Sequence, residues 1–391
     1  MKPNIYKMYI INLVKNMMFF SSVTVPFFLD WARIDYTRIF ILEASFSFFM
    51  FVLEIPTGII ADKYGRKYSL ALGGIFGAAS FILFGLVNNY WVFFLADFIC
   101  AVGTTLLSGA DKALLYDTLI AIGEEAKGAR YFSRYETAGI TGIILGLIGG
   151  SMIADSPCLP YPSGLPLTFI LSGAVLLAVF ITAMTLREPA RKKIDEKFLR
   201  QGINGLRYIF RNGRLRAFSF NYTFISATTF FMFWLYQPLF KSAGIGLVYY
   251  GFVGAAFNIF SIILMNSAGR IEAAIGVNRL LFLTAFFPGL LYCGLYFPAH
   301  AAYALPAILL VVGLRQMRSP LLSDYMNRHI GSGNRATVLS GVSMIERVII
   351  MVMYPVTGLL ADHSLAAAFL LLGAVTVIFS FIVKVEADAM A

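Results

Sequence analysis

The sequence predicts an all-α integral membrane protein, with twelve transmembrane helices arranged as two related six-helix bundles. Three observations predict it: an apolar composition, a regular recurrence of membrane-length apolar stretches, and one long basic connection that divides them evenly. Of the 391 residues, 59% are hydrophobic and only 13% charged. A soluble domain carries about a quarter charged residues, so this chain lacks the side chains for a fully wetted surface. Gly is frequent, at 34 residues, as expected where helices approach closely in lipid.

Crossing the hydrocarbon core takes roughly 20 apolar residues. Stretches of that length occupy 6–29, 38–60, 69–88, 91–118, 132–154, 165–186, 217–240, 246–267, 279–297, 302–324, 336–360 and 365–384, numbered here as spans 1–12. The opening segment MKPNIYKMYI reads as a retained first helix. Asn12, Lys15 and Asn16 interrupt its apolar run, and no small-residue cleavage site follows.

Charge then sets the orientation, because cytoplasmic loops are enriched in Lys and Arg. With both termini cytoplasmic, only Arg33, Arg38 and Lys241 fall in outside loops. The connection 187–216 carries Arg191, Lys192, Lys193, Lys197, Arg200, Arg207, Arg211, Arg214 and Arg216, and most of the net charge of +10. It reads as an interfacial basic segment held by anionic lipid headgroups, with no nucleic-acid partner. It divides the chain into bundles 1–186 and 217–391.

The halves look duplicated. Ala113-Leu-Leu-Tyr-Asp117 closes span 4 and Pro320-Leu-Leu-Ser-Asp324 closes span 10. Arg130 and Arg335 open the following spans, which end in Ala154-Asp155 and Ala361-Asp362. Transporter folds are often built from such repeats, with the binding site between them.

Between spans 2 and 3 the chain reads Gly58-Ile-Ile-Ala-Asp62-Lys-Tyr-Gly65-Arg66-Lys67, preceded by Glu54-Ile-Pro56-Thr. This resembles the signature loop of the major facilitator superfamily, in a bacterial branch. Gly58 and Gly65 would permit a tight turn and close backbone approach, and Asp62 can face the positive end of a neighbouring helix. The resemblance implies that Arg66 bridges to Asp117, that Asp62 meets the end of span 11, and that the cluster latches the inner gate. The alternative is a loop that only anchors topology.

The copy in the second half, Gly269-Arg270-Ile-Glu272-Ala-Ala-Ile-Gly276, is degraded. Asp97 stands where the family often has an Arg. Gly142, Gly146, Gly149 and Gly150 in span 5 resemble the family's glycine-rich antiporter motif, but Leu147 replaces its proline.

Ionisable residues within a membrane are costly and mark function by default. Helical spacing places Asn12, Lys15 and Asn16 on one face. Glu43, Ser47, Met50 and Glu54 share another, as do Asp97, Thr104, Ser108 and Asp111. Span 10 adds Arg315 and Arg318, and span 11 adds Ser340, Ser343, Glu346 and Arg347. By resemblance, spans 1, 4, 7 and 10 line the central cavity, which makes Lys15, Asp97, Asp111 and Arg315 the leading candidates.

Each has a structural alternative. Lys15 pairs with Glu43 or Glu54, Lys112 snorkels, Arg315 and Arg318 reach headgroups, and Glu346 and Arg347 take separate partners. Phe230, Phe231, Phe233, Trp234 and Tyr236 form either an aromatic wall for an apolar or cationic substrate or lipid-facing packing.

The class that emerges is a secondary transporter working as a monomer in the plasma (inner) membrane. Glu43, Asp97 and Asp111 are candidate proton carriers, since a carboxyl can take up and release protons as its access to water changes. A proton-coupled exporter of drugs or metabolites and a proton-coupled importer of a sugar or organic anion both remain open. No cofactor is called for. Cys100, Cys158 and Cys293 lie far apart and match no metal spacing. A membrane enzyme is disfavoured because no His is placed mid-span, and no receptor-sized soluble domain is present. No GxxxxGK[ST] loop for ATP-driven transport occurs.

Overall fold

The computed structural model describes residues 1–189, 198–297, 300–329 and 335–382, and among these no residue is in a strand. The helices are α1 (Lys2–Lys15), α2 (Thr24–Pro26, continued by a wide turn over Phe27–Trp31), α3 (Tyr36–Tyr64), α4 (Arg66–Leu86), α5 (Tyr90–Leu107), α6 (Ala110–Ala121), α7 (Gly128–Ala154) and α8 (Gly164–Met184). They continue with α9 (Phe198–Arg211), α10 (Gly213–Phe230), α11 (Met232–Ser242), α12 (Val248–Ile275), α13 (Val277–Gly294), α14 (Ala301–His329), α15 (Arg335–His363) and α16 (Leu365–Ile382).

Eight of the helical stretches among the described residues are long and apolar enough to cross a membrane, and the pair Lys2–Ser22 and Thr24–Trp31, bent by 56°, makes a ninth. The remaining three sequence stretches fall on the broken pair α10 and α11, on the charged α14, and on the shorter apolar α16. Large apolar side chains such as Phe48, Trp91, Ile181, Val352 and Leu359 are exposed, as a surface solvated by lipid requires.

Backbone chemistry sets the element boundaries. Gly65 (φ 119°) separates α3 from α4, and Gly276 (φ 82°) separates α12 from α13. The two glycines of the signature loop and of its degraded copy therefore turn the chain in the same way, in a region that L side chains rarely adopt. Asn89 caps α5, its side-chain oxygen accepting from the amides of Trp91 and Val92.

Spans 1, 4 and 7 are discontinuous, which their apolar runs did not disclose. Gly109 (φ 74°) splits span 4 into α5 and α6. The connection 187–216 also differs from a plain linker. It contains α9, whose Ile209 is fully buried against Leu215, Phe218, Val338 and Val342, and α10 begins within it at Gly213. Arg191, Lys192, Lys193 and Lys197 lie outside the described residues.

The chain forms two compact units. Unit 1 comprises Met1–Asp35, Leu42–Asp195 and Gly246–Ala255; unit 2 comprises Tyr36–Ile41, Glu196–Ile245 and Ala256–Ala391. Small residues let backbones meet in both. In unit 1, a Cβ at Gly74 would stand 2.8 Å from the Phe180 amide, and one at Gly103 would stand 2.7 Å from the Gly77 amide. In unit 2, a Cβ at Gly289 would stand 2.9 Å from the Val377 amide, and one at Gly373 would stand 2.8 Å from the Cys293 amide. This close seating on glycine is how membrane helices gain contact where lipid competes equally for apolar side chains.

Candidate functional site: charges at broken helices

Lys15 is the last residue of α1, and Asp111 lies in the first turn of α6. A cation at a helix C-terminus and an anion at an N-terminus each complement the helix dipole. The two side chains form an ion pair with Asp111 almost fully buried. The Tyr135 hydroxyl on α7 donates to the same carboxylate at 2.5 Å, and Lys15 Nζ donates to that hydroxyl at 3.2 Å. Asn12 holds α7 in place by donating to the Tyr135 carbonyl at 2.6 Å.

This corrects the sequence reading, which offered Glu43 or Glu54 as partners of Lys15. Helical spacing finds shared faces on one helix, but the break at Gly109 brings Asp111 to Lys15. Lys112, expected to snorkel, instead pairs with Glu136 at 2.8 Å on the exposed side.

A second acidic centre lies on α5. Asp97 is 7% exposed and its Oδ2 has no hydrogen-bond partner. Glu43 of α3 is near enough for the two carboxyls to interact electrostatically. Neither has a cation within ion-pair distance among the described residues. Cys100 and Thr104 continue the same face of α5, their side chains 3.9 Å apart. Glu54, farther along α3, is half-buried.

Unit 2 holds its charges differently. Arg315 Nε donates to the Ser226 carbonyl at 3.3 Å, and its guanidinium lies 5.5 Å from the Phe230 ring centre. Glu346 accepts from the Ser226 hydroxyl at 2.5 Å, so both charges of opposite sign converge on one residue. Arg347 is the neighbour of Glu346 on α15.

Arg318, expected at the headgroups, is only 2% exposed. It donates to the Leu281 carbonyl at 2.7 Å, to Thr284 Oγ1 at 3.4 Å and to Asn221 Oδ1, and its Nε has no partner. No carboxylate pairs with it among the described residues. The aromatic cluster resolves by residue: Phe231, Trp234 and Tyr236 are buried within unit 2, and Phe233 is exposed. Phe231 and Tyr354 face each other edge-on at 5.3 Å.

In the signature loop, Arg66 and Asp117 are ion-paired and largely buried. Asp62 and Gly58 are exposed, and no described atom lies within 4 Å of where a Cβ at Gly58 would stand. No other element approaches Gly58 that closely among the described residues. A carboxylate that sequence reading passed over completes the loop. Glu188 accepts from the amides of Arg66 (3.0 Å) and Lys67 (2.9 Å), capping α4. Its only sequence signal was an acid standing just past an apolar span. Asp362, noted as a repeat marker, caps α3 in the same manner through the amides of Tyr36 (2.7 Å) and Thr37 (2.9 Å).

The glycines of span 5 have a packing role. Along α7, a Cβ at Gly142 would lie 2.1 Å from the Leu13 carbonyl oxygen, one at Gly146 would lie 2.8 Å from the Met18 amide, and one at Gly150 would lie 1.7 Å from the Phe19 carbonyl oxygen. The stripe is the seat of the break in span 1. Non-helical backbone at membrane depth is tolerated only where protein covers it, and the Phe19 amide is satisfied there by Ser172 Oγ at 2.9 Å.

Membrane-length helices, breaks at buried charges and the turn at Gly65 describe a known architecture. The profile of the Major Facilitator Superfamily matches residues 8–345. The chain belongs to the major facilitator superfamily. Across the curated proteins, an uncharacterized MFS-type transporter of Bacillus subtilis (strain 168), YxaM, is 22% identical over 370 residues, covering 91% of this chain and 90% of that protein. Multidrug resistance protein 1 of the same organism is 24% identical over 173 residues, covering 44% of this chain and 42% of its own length. Among solved structures, the nucleoside transporter NupG superimposes with a TM-score of 0.80 at 14% identity, covering 99% of this chain and 98% of that one. The superfamily's architecture is thus shared over the whole chain, in a membrane transporter.

Proposed function

We propose that this chain is a proton-coupled antiporter that exports drugs or metabolites. The observation that carries the reading is the Glu43–Asp97 pair, two acids without a cation and with one buried oxygen unsatisfied. Asp111, by contrast, already has Lys15 and Tyr135. A carboxyl with no fixed counter-charge can bind a proton in one conformation and release it in another, which is the chemistry a proton-driven carrier needs.

Transport in this reading proceeds by alternating access of a chain whose bundles 1–186 and 217–391 are joined by 187–216, in the plasma membrane with both termini cytoplasmic. Arg66, Asp117 and the rest of the signature loop, Gly58, Asp62, Gly65 and Lys67, work as the inner latch. Support for export comes from the glycine stripe of α7 and from the multidrug resistance relative. A proton-coupled importer of an organic anion is the second reading. It rests on Arg318, a buried guanidinium with only neutral acceptors.

The test is proton movement in proteoliposomes loaded with a pH-sensitive dye, challenged with lipophilic cations, neutral drugs, sugars and organic anions. Proton flux triggered by lipophilic cations or neutral drugs, opposite in direction to the substrate and lost in Asp97→Asn, supports the antiporter. Flux in the same direction as an organic anion supports the importer. Tracer uptake with no proton movement would remove the proton role of both carboxyls.

A further inference from the structure

A groove of about 480 Å³ opens on unit 1 where α3 ends, α4 begins and α8 ends, lined among others by Ile60, Tyr64, Tyr68, Leu72, Phe180 and Met184. Its walls are apolar, and Tyr64, Tyr68, Leu72 and Met184 are all exposed. Neither the transport reading nor the signature loop accounts for it.

Cations gather at one end of the groove. Lys63 Nζ lies 5.4 Å from the centre of the Tyr64 ring, and Lys67 Nζ lies 5.8 Å from that of Tyr68. On the α8 side, Lys7 donates to the Thr185 carbonyl at 2.8 Å, and exposed Arg187 follows. The carboxylates nearby are Asp62, which is exposed, and Glu188, whose oxygens are already taken by the Arg66 and Lys67 amides. An apolar trough on membrane-spanning helices, ended by Tyr64 and Tyr68 with Lys63 and Lys67 against their rings, has the chemistry of a membrane boundary with an anionic headgroup.

We propose that this groove binds one anionic glycerophospholipid, with an acyl chain along the trough and the phosphate held by Lys63 and Lys67. The two lysines that hold the phosphate lie outside the basic connection 187–216, and the site does not depend on which substrate is carried. Because Tyr64 and Lys67 flank the turn at Gly65, a seated lipid braces the loop that holds the Arg66–Asp117 pair.

The test places a tryptophan reporter in the groove, Met184→Trp, in vesicles of phosphatidylcholine or phosphatidylglycerol with brominated acyl chains. Unsubstituted protein run in parallel corrects for Trp31, Trp91 and Trp234. The expected result is preferential quenching by the brominated phosphatidylglycerol, corresponding to a roughly five- to tenfold tighter association. Adding Lys63→Glu should bring the two lipids to parity. Adding Leu72→Phe instead, which narrows the trough and leaves the cations in place, should weaken both the quenching and the preference. Equal quenching by both lipids in the reporter protein would mean annular lipid only and would overturn the proposal, as would a preference unchanged by Lys63→Glu in a variant with unaltered thermal unfolding.

Discussion

Asp111 and Arg318 stand at the same distance before the shared Leu-Leu-X-Asp sequence of the two halves. Both are buried, yet their signs are opposite and so are their solutions. In unit 1 the carboxylate meets a lysine and a tyrosine. In unit 2 the guanidinium meets an amide, a hydroxyl and a carbonyl. A duplicated position has thus diverged into a neutralised pair on one side and an uncompensated charge on the other. The pair can be understood as structure. The uncompensated charge is tolerated in a low-dielectric interior only at a cost. Asp97 is its acidic counterpart in unit 1.

The comparison is sharpened first by Lys15→Met, which strands Asp111 as a buried charge and should destabilise unit 1 by about 3–5 kcal/mol. The double variant Lys15→Met/Asp111→Leu should recover most of that loss in thermal unfolding. Additive losses would mean the pair is not the unit that matters. Arg318→Leu comes next. It leaves only neutral acceptors unsatisfied, so about 1–3 kcal/mol is expected; drug-triggered proton flux should persist under the antiporter reading, whereas the importer reading requires organic-anion transport to be lost. A loss as large as that of Lys15→Met would reveal a hidden carboxylate partner.

Glu188→Gln should cost about 0.3–1 kcal/mol through the weakened cap on α4, read as a small drop in unfolding temperature. The smallest effect on stability belongs to Asp97→Asn, which keeps the shape of the side chain and removes a buried charge that has no ion-pair partner among the described residues. In the same variant, substrate-driven proton flux should disappear while substrate exchange in a counterflow assay persists. Loss of counterflow as well would make Asp97 a substrate or structural residue.

Much of this arrangement was legible beforehand. Twelve apolar stretches, the glycine turn at Gly65 and the polar faces of spans 1, 2 and 4 follow from period and composition. Partner choice does not. The run 91–118 reads as one continuous span despite its acids, and only a positive φ at Gly109, invisible in hydropathy, directs Asp111 towards Lys15. Arg318 was read as reaching headgroups because a cation near a span end usually does so. Its actual acceptors, Asn221, Thr284 and the Leu281 carbonyl, sit on other helices and share no local pattern with it. Glu188 escaped notice because a helix cap contributed by a residue far away in sequence has no spacing rule. The glycines of span 5 were noticed for their resemblance to a motif, while their physical use, as the seat for a kinked neighbour, needed the position of Leu13 to Phe19.

During synthesis the first span emerges well before anything that satisfies it. Lys15 finds its acceptor 96 residues later, and the free amide of Phe19 finds Ser172 only after 153 more residues have been made. An unpaired lysine at the middle of a spanning segment costs about 2.5–3.5 kcal/mol to insert, and the exposed amides of the kink add to that. The first helix is therefore a poor membrane segment alone and a good one only in company. Its stable seating depends on groups that α6, α7 and α8 supply later in synthesis.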